Sequence, residues 1–162
     1  MRALRHLLAA PWCVRRAFPR RALERIEAAI GASEAKHRGE IRFAVEGALE
    51  FLPVLRGLTP RQRALEVFSL LKVWDTEDNT GVLVYVQLVD RCIEIVADRG
   101  IARAIPQATW DSICGRMQAA FGEGRFEGGA TAGVAEIGER LAAHFPAGGA
   151  NPDELPNAPT LL

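Results

Sequence analysis

The stretch VLVYVQLV, residues 82–89, is the feature that most restricts how this chain folds. It is nearly unbroken in apolar residues and rich in β-branched ones, yet far shorter than the roughly 18 residues a membrane-spanning helix needs. A strand of that kind is buried on both faces, so layers of structure must cover a sheet from either side. Two residues, Asp90 and Arg91, separate this run from CIEIVAD, residues 92–98. The two runs read as an antiparallel hairpin in which Val89 faces Cys92 and Asp98 falls opposite Leu83.

Other segments supply the layers. Leu23, Ile26 and Ile30 recur at helical spacing over 19–36, with Pro19 suited to the first turn. EIRFAVEG then alternates, which predicts a strand over 40–47 with one face buried. Thr59, Pro60 and Gln62 form a capping box for a helix that ends near Trp74. Trp110, Ile113, Cys114, Met117 and Phe121 mark a helix over 107–121, and Cys114 is expected in the core. The last helix, 126–145, carries Gly129 and Gly133 where a neighbouring backbone can approach, and is stopped by Pro146, Gly148 and Gly149. A helix between two strands usually makes them parallel. The fold class is therefore α/β: a small mixed sheet with an antiparallel hairpin, flanked by helices. Residues 1–18 read as a basic arm, 19–146 as the domain, and 147–162 as a disordered tail.

Composition narrows the function classes. Among 162 residues, 49% are hydrophobic and the formal net charge is +0, which leaves no global field to attract nucleic acid. Three cysteines, far apart, write neither a disulfide framework nor a metal motif, and fit a reducing compartment. LLAAPWCV, residues 7–14, is broken by Pro11 and followed at once by Arg15 and Arg16, so it reads as mature protein rather than a leader. A cytoplasmic chain, at most peripheral to a membrane, is expected. The arm itself mixes arginines with Leu4, Leu7, Leu8, Trp12 and Phe18, the composition of an interfacial segment. Trp12 and Phe18 are expected to pack on the domain, with contact to a membrane surface or membrane protein as the alternative.

The chemistry concentrates in DTEDNTG, residues 75–81. It is no EF-hand, because Thr80 stands where the glycine is required and Val86 at the last ligand position. The hairpin nevertheless carries Asp98 toward Asp75, Glu77, Asp78 and Asn79, and a parallel first strand adds Glu40. Carboxylates gathered at one sheet end repel one another, and a hard divalent cation such as Ca²⁺ or Mg²⁺ relieves that repulsion. The alternative is a solvated turn in which Asp78 and Asn79 satisfy local backbone donors. No catalytic residue can be nominated: His6, His37 and His144 lie on separate elements and no serine neighbours a histidine. His37 reads as an exposed helix-end histidine. Arg99 and Arg125 would hold a phosphate bidentately if folded near the acidic end, with solvated arginines as the alternative.

GEIRFAVE, then FSLLKVWDTEDNTGVLVYVQLVDRCIEIVADRGI, then GRFEGGATAGVAEIGERL resemble the TPM domain family over about residues 20–145. The most specific parts are the acid- and Asn-containing loop before GVLVYV and the IEIVADRG strand. The resemblance implies an α/β/α sandwich of the compact, unanchored bacterial type. It also implies weak calcium binding at Asp75, Asp78, Asn79 and Asp98, with Glu40 and Glu77 added by topology. Three roles compete: a cation-binding interaction or regulatory module associated with membrane proteins, a metal-dependent acid-phosphatase-like hydrolase, and an adaptor docking through its basic arm.

Overall fold

A computed structural model describes residues 2–9, 12–148 and 152–162. The elements are α1 (Arg2–Leu7), α2 (Cys13–Ala17), α3 (Arg20–Glu34), β1 (Glu40–Glu46), α4 (Phe51–Leu55), α5 (Pro60–Leu70), β2 (Gly81–Gln87), β3 (Cys92–Ala97), α6 (Arg99–Ala102), α7 (Gln107–Gly122), α8 (Phe126–His144) and β4 (Thr160–Leu161). Pro11 and Gly149, read above as helix breakers, lie outside the described residues. No helix among the described residues is long and apolar enough to cross a membrane.

The strands form one sheet in the order β3–β2–β1–β4, so the apolar run 82–87 is interior as its composition requires. β1 and β2 are parallel, with Glu40 beside Gly81. Ile41, Phe43, Val45, Val84 and Ile95 meet α3, α7 and α8 on one face, while Ala44, Leu83, Tyr85 and Val96 meet Ala64 and Val67 of α5 on the other. The result is an α/β/α sandwich. At the α7–α8 crossing a Cβ on Gly133 would come within 2.3 Å of the Met117 sulfur, which explains the small residue there.

Four expectations are corrected. β2 and β3 pair with Gln87 opposite Cys92, not Val89. The reason is that the Leu88 and Val89 amides donate to Glu46 and Gly47 instead, and the turn closes over 88–91 with Arg91 in the left-handed region at φ 54°. The slip is two residues, so every side chain keeps its face. Secondly, β1 is buried along its whole length rather than on one face. Arg42 is covered by residues 156–160, to which it donates hydrogen bonds, and Glu46 by Arg63 at 2.8 Å.

Thirdly, the segment after Asn151 is ordered. Leu155 is 7% exposed within the α5-side core, and Thr160 and Leu161 pair with Ala44 and Val45, covering what would otherwise be a bare strand edge. Low periodicity concealed this, because the segment is held by one buried leucine, two strand residues and hydrogen bonds to Arg42 and Glu40 rather than by a repeated apolar face. Finally, Phe18 packs edge-on against Phe43, Phe121 and Phe126, but Trp12 does not join it and stays 60% exposed.

The Glu46 carboxylate accepts from both Arg63 and the Tyr85 hydroxyl in a buried setting. Removing the guanidinium leaves that carboxylate without its countercharge. Arg63→Ala is expected to lower unfolding stability by about 2–4 kcal/mol in urea titration, and Glu46→Gln in the same background to recover part of it.

Candidate metal centre

Helix α3 ends on Glu34 and β1 begins on Glu40, and the five-residue connection folds both acids inward. Glu34 Oε1 accepts the Ile41 amide at 2.7 Å, tying the helix end to the strand. Glu40 Oε2 accepts the Leu155 amide at 3.1 Å, tying the strand to the chain's last segment. Asp153, exposed on that segment, completes the group: one carboxylate oxygen from each of Glu34, Glu40 and Asp153 lies within 4.8 Å of the others. Hard oxygen donors from three segments, two of them held by backbone amides, suit Ca²⁺, Mg²⁺ or Mn²⁺ rather than a thiolate-seeking metal.

Burial disfavours the charged form of both glutamates. It pushes the Glu34 carboxyl up to about 8, opposed by the Ile41 amide and reinforced by Glu40 and Asp153. Burial likewise pushes Glu40 up to about 7, opposed by the amide of Leu155. Near neutral pH the pair therefore retains protons, the charge a cation would replace. Arg42 lies close enough for Glu34 to favour its charged form, although burial pulls its pKa down. His37, expected to be exposed, is fully buried; its Nδ1 accepts the Gly39 amide and its other nitrogen meets Ser33 Oγ at 2.9 Å. Burial lowers its pKa and keeps the ring neutral.

The residues singled out in the sequence are distributed differently. The loop does reach the β3 end: the Gly100 amide donates to Asn79, and a Cβ on Gly100 would stand 2.5 Å from that carbonyl oxygen. Asp98, however, caps α6 by accepting the Arg99 amide at 2.7 Å, and its buried Oδ2 has no hydrogen-bond partner among the described residues. Asp78 is paired with Arg38 at 2.8 Å, and Asn79, at φ 54°, accepts from Arg99. Asp75 is exposed; Glu77 is exposed too, with its amide donating to Glu154. Among the described residues these acids do not converge into a three-carboxylate group; only Glu40 does, and its companions are Glu34 and Asp153. The interior strand β2 separates Glu40 from Asp98, about 10 Å across two strand spacings. Arg125 pairs with Glu123 and Arg99 with Asn79, so the two form no joint clamp.

Glu34 and Asp153 were missed by sequence reasoning. A signal existed for the first: an acid as the last residue of a helix, six positions before an acid that opens a strand, on a chain that must turn back between them. For Asp153 there was none, since its segment carries no periodic pattern.

The family model described as TPM domain matches residues 16–140. Among solved structures, the chain is similar to the NMR structure of BA42 protein from the psychrophilic bacterium Bizionia argentinensis, at 32% identity and a TM-score of 0.77, covering 87% of this chain and 92% of that one. No curated protein matches.

The raised carboxyls have a definite sign. A folded pKa above the unfolded value contributes stability that is fully present below about 4.5 and is lost as pH rises through about 7 to 8. His37 acts oppositely, but only below its ordinary range near 6.5. Between about pH 7 and 9 the metal-free protein is therefore expected to lose about 1–2 kcal/mol, seen as a falling Tm, while Glu34→Gln flattens that slope.

Proposed function

This chain belongs to the TPM domain family, and from that premise we propose that it is a divalent-cation-binding module whose site is the Glu34–Glu40–Asp153 group. The observation that carries the reading is the pair of buried carboxyls with a third carboxylate at their mouth. Such a pair is destabilising when both are charged, and a bound cation supplies the compensating charge and oxygen coordination. The protein's own residues do the rest. The Ile41 and Leu155 amides orient one oxygen of each glutamate, and the 152–162 segment delivers the third ligand.

Because Asp153 sits on the segment that also forms β4, cation binding would tighten the attachment of that segment to the β1 edge. A module of this kind responds to cation concentration by fixing or loosening a strand, which is a regulatory rather than a catalytic use. Of the ligands expected from the sequence, only Glu40, the one added by the parallel first strand, belongs to this site. Glu77, Asp78, Asn79 and Asp98 act in this reading by fixing the loop beside it through their hydrogen bonds, and Asp75 stays exposed. Affinity is expected in the 10⁻⁴ to 10⁻³ M range, since one ligand is exposed.

At about pH 8, calcium at ten times its dissociation constant is expected to raise Tm by about 3 °C, with proton release detectable by calorimetry in two buffers. Glu40→Gln should raise the metal-free Tm at that pH and abolish the calcium-dependent gain. A calcium-dependent gain that survives in Glu34→Gln and Glu40→Gln would contradict the assignment. Metal-dependent turnover of an aryl phosphate, lost in Glu40→Gln, would move the reading from module to hydrolase.

A further inference from the structure

Helix α1 is patterned inside out. Arg2 and His6, one turn apart, face inward: Arg2 donates to both oxygens of the Asp90 carboxylate through Nε and Nη2, and His6 is 3% exposed, accepts the Leu49 amide at Nδ1 and approaches Asp90 with its other nitrogen. The apolar stripe Leu4, Leu7 and Leu8 consequently points to solvent, at 51%, 61% and 73% exposure. A helix ordinarily buries its apolar face and wets its polar one. Here ionic contacts hold the reverse arrangement, which leaves the leucines for something outside the chain.

The stripe does not stand alone. α1 packs against α4, whose Leu52 and Leu55 are 59% and 63% exposed, and Trp12 at 60% immediately precedes α2. The β1–α4 connection is the common floor: Leu49 bonds His6, and Gly47 lies against Cys13 and Val14. Exposed apolar side chains gathered on two helices packed against each other mark an interaction site.

Its charge surroundings select the partner. No acid precedes Glu24 in the sequence, and Arg15, Arg16, Arg21 and Arg56 are exposed with no ion pair among the described residues. Glu50 is the exposed acid of the α4 N-cap. A second copy of this surface would press arginines against arginines. A bilayer bearing anionic headgroups instead accepts leucines and an indole at its interface and neutralises the guanidinium rim. We infer that the α1–α4 corner is a docking surface for an anionic phospholipid membrane. It lies beyond the last residues of β1, about 20 Å along the strand from Glu40, so docking leaves the opposite sheet end facing away from the lipid.

The test uses the full chain and co-sedimentation with vesicles of phosphatidylcholine alone or with about 30 mol % phosphatidylglycerol. Binding is expected to the anionic vesicles, to weaken at about 0.5 M salt, and to fall about tenfold or more in Leu4→Ser/Leu8→Ser and, on the separate element, in Leu52→Ser/Leu55→Ser. Arg15→Glu/Arg16→Glu should lose the anionic preference. These side chains are exposed, so an unchanged Tm confirms that each variant is folded. Wild-type protein remaining in the supernatant would overturn the inference, as would leucine variants that sediment like wild type. A concentration-dependent dimer abolished by the same leucine changes would overturn it too, by assigning the surface to a second copy.

Discussion

Two glutamates withdrawn from water in one helix-to-strand connection determine how this end of the molecule is built. Glu34 and Glu40 are six residues apart, and both are buried. Neither can be stable there as an isolated anion. Each therefore binds a backbone amide, one at the start of β1 and one in the final segment, and burial raises the pKa of both carboxyls toward or past neutrality. The order of the last residues follows from this. Leu155 enters the core, Arg42 donates to the carbonyls of Pro156 and Ala158, and β4 closes the sheet edge.

The sheet separates two kinds of chemistry. At the beginnings of β1 and β2 lie acids, backbone amides and a buried neutral histidine; past their ends lie an inverted helix, exposed leucines and arginines. Asp90 does for the second region what Glu40 does for the first, collecting Arg2 and His6 from a distant part of the chain, and those partners hold its carboxyl below the usual range against the upward pull of burial. In both places a single turn or strand-end acid decides where a terminal segment sits. The family model covers residues 16–140, so Glu34, Glu40 and Asp90 lie within it, whereas α1, Asp153 and β4 lie outside it.

Much of the sandwich was legible in the sequence because its signals are local. The Thr59–Gln62 capping box, the apolar run 82–87 and the spacing of Trp110, Ile113, Cys114 and Met117 each state their own structure within a few residues. What escaped depends on contacts between distant segments. The hairpin slipped by two residues because Leu88 and Val89 prefer β1 to β3, and no feature of residues 88–91 announces that. The acid-rich loop drew attention by composition, yet Arg38, unremarkable in sequence, and Arg99, read as a candidate phosphate ligand, engage Asp78 and Asn79. The group that does converge includes an acid from a tail with no pattern at all.

Residue-resolved NMR during a calcium titration of the full chain at about pH 8 tests the central claim most directly, because it observes each carboxyl and amide separately. The account requires saturable shifts in the side-chain carboxyl carbons of Glu34, Glu40 and Asp153 and in the amides of Ile41 and Leu155. Shifts confined to residues 75–81 and 98–100, or no saturable shifts at millimolar calcium, would contradict it.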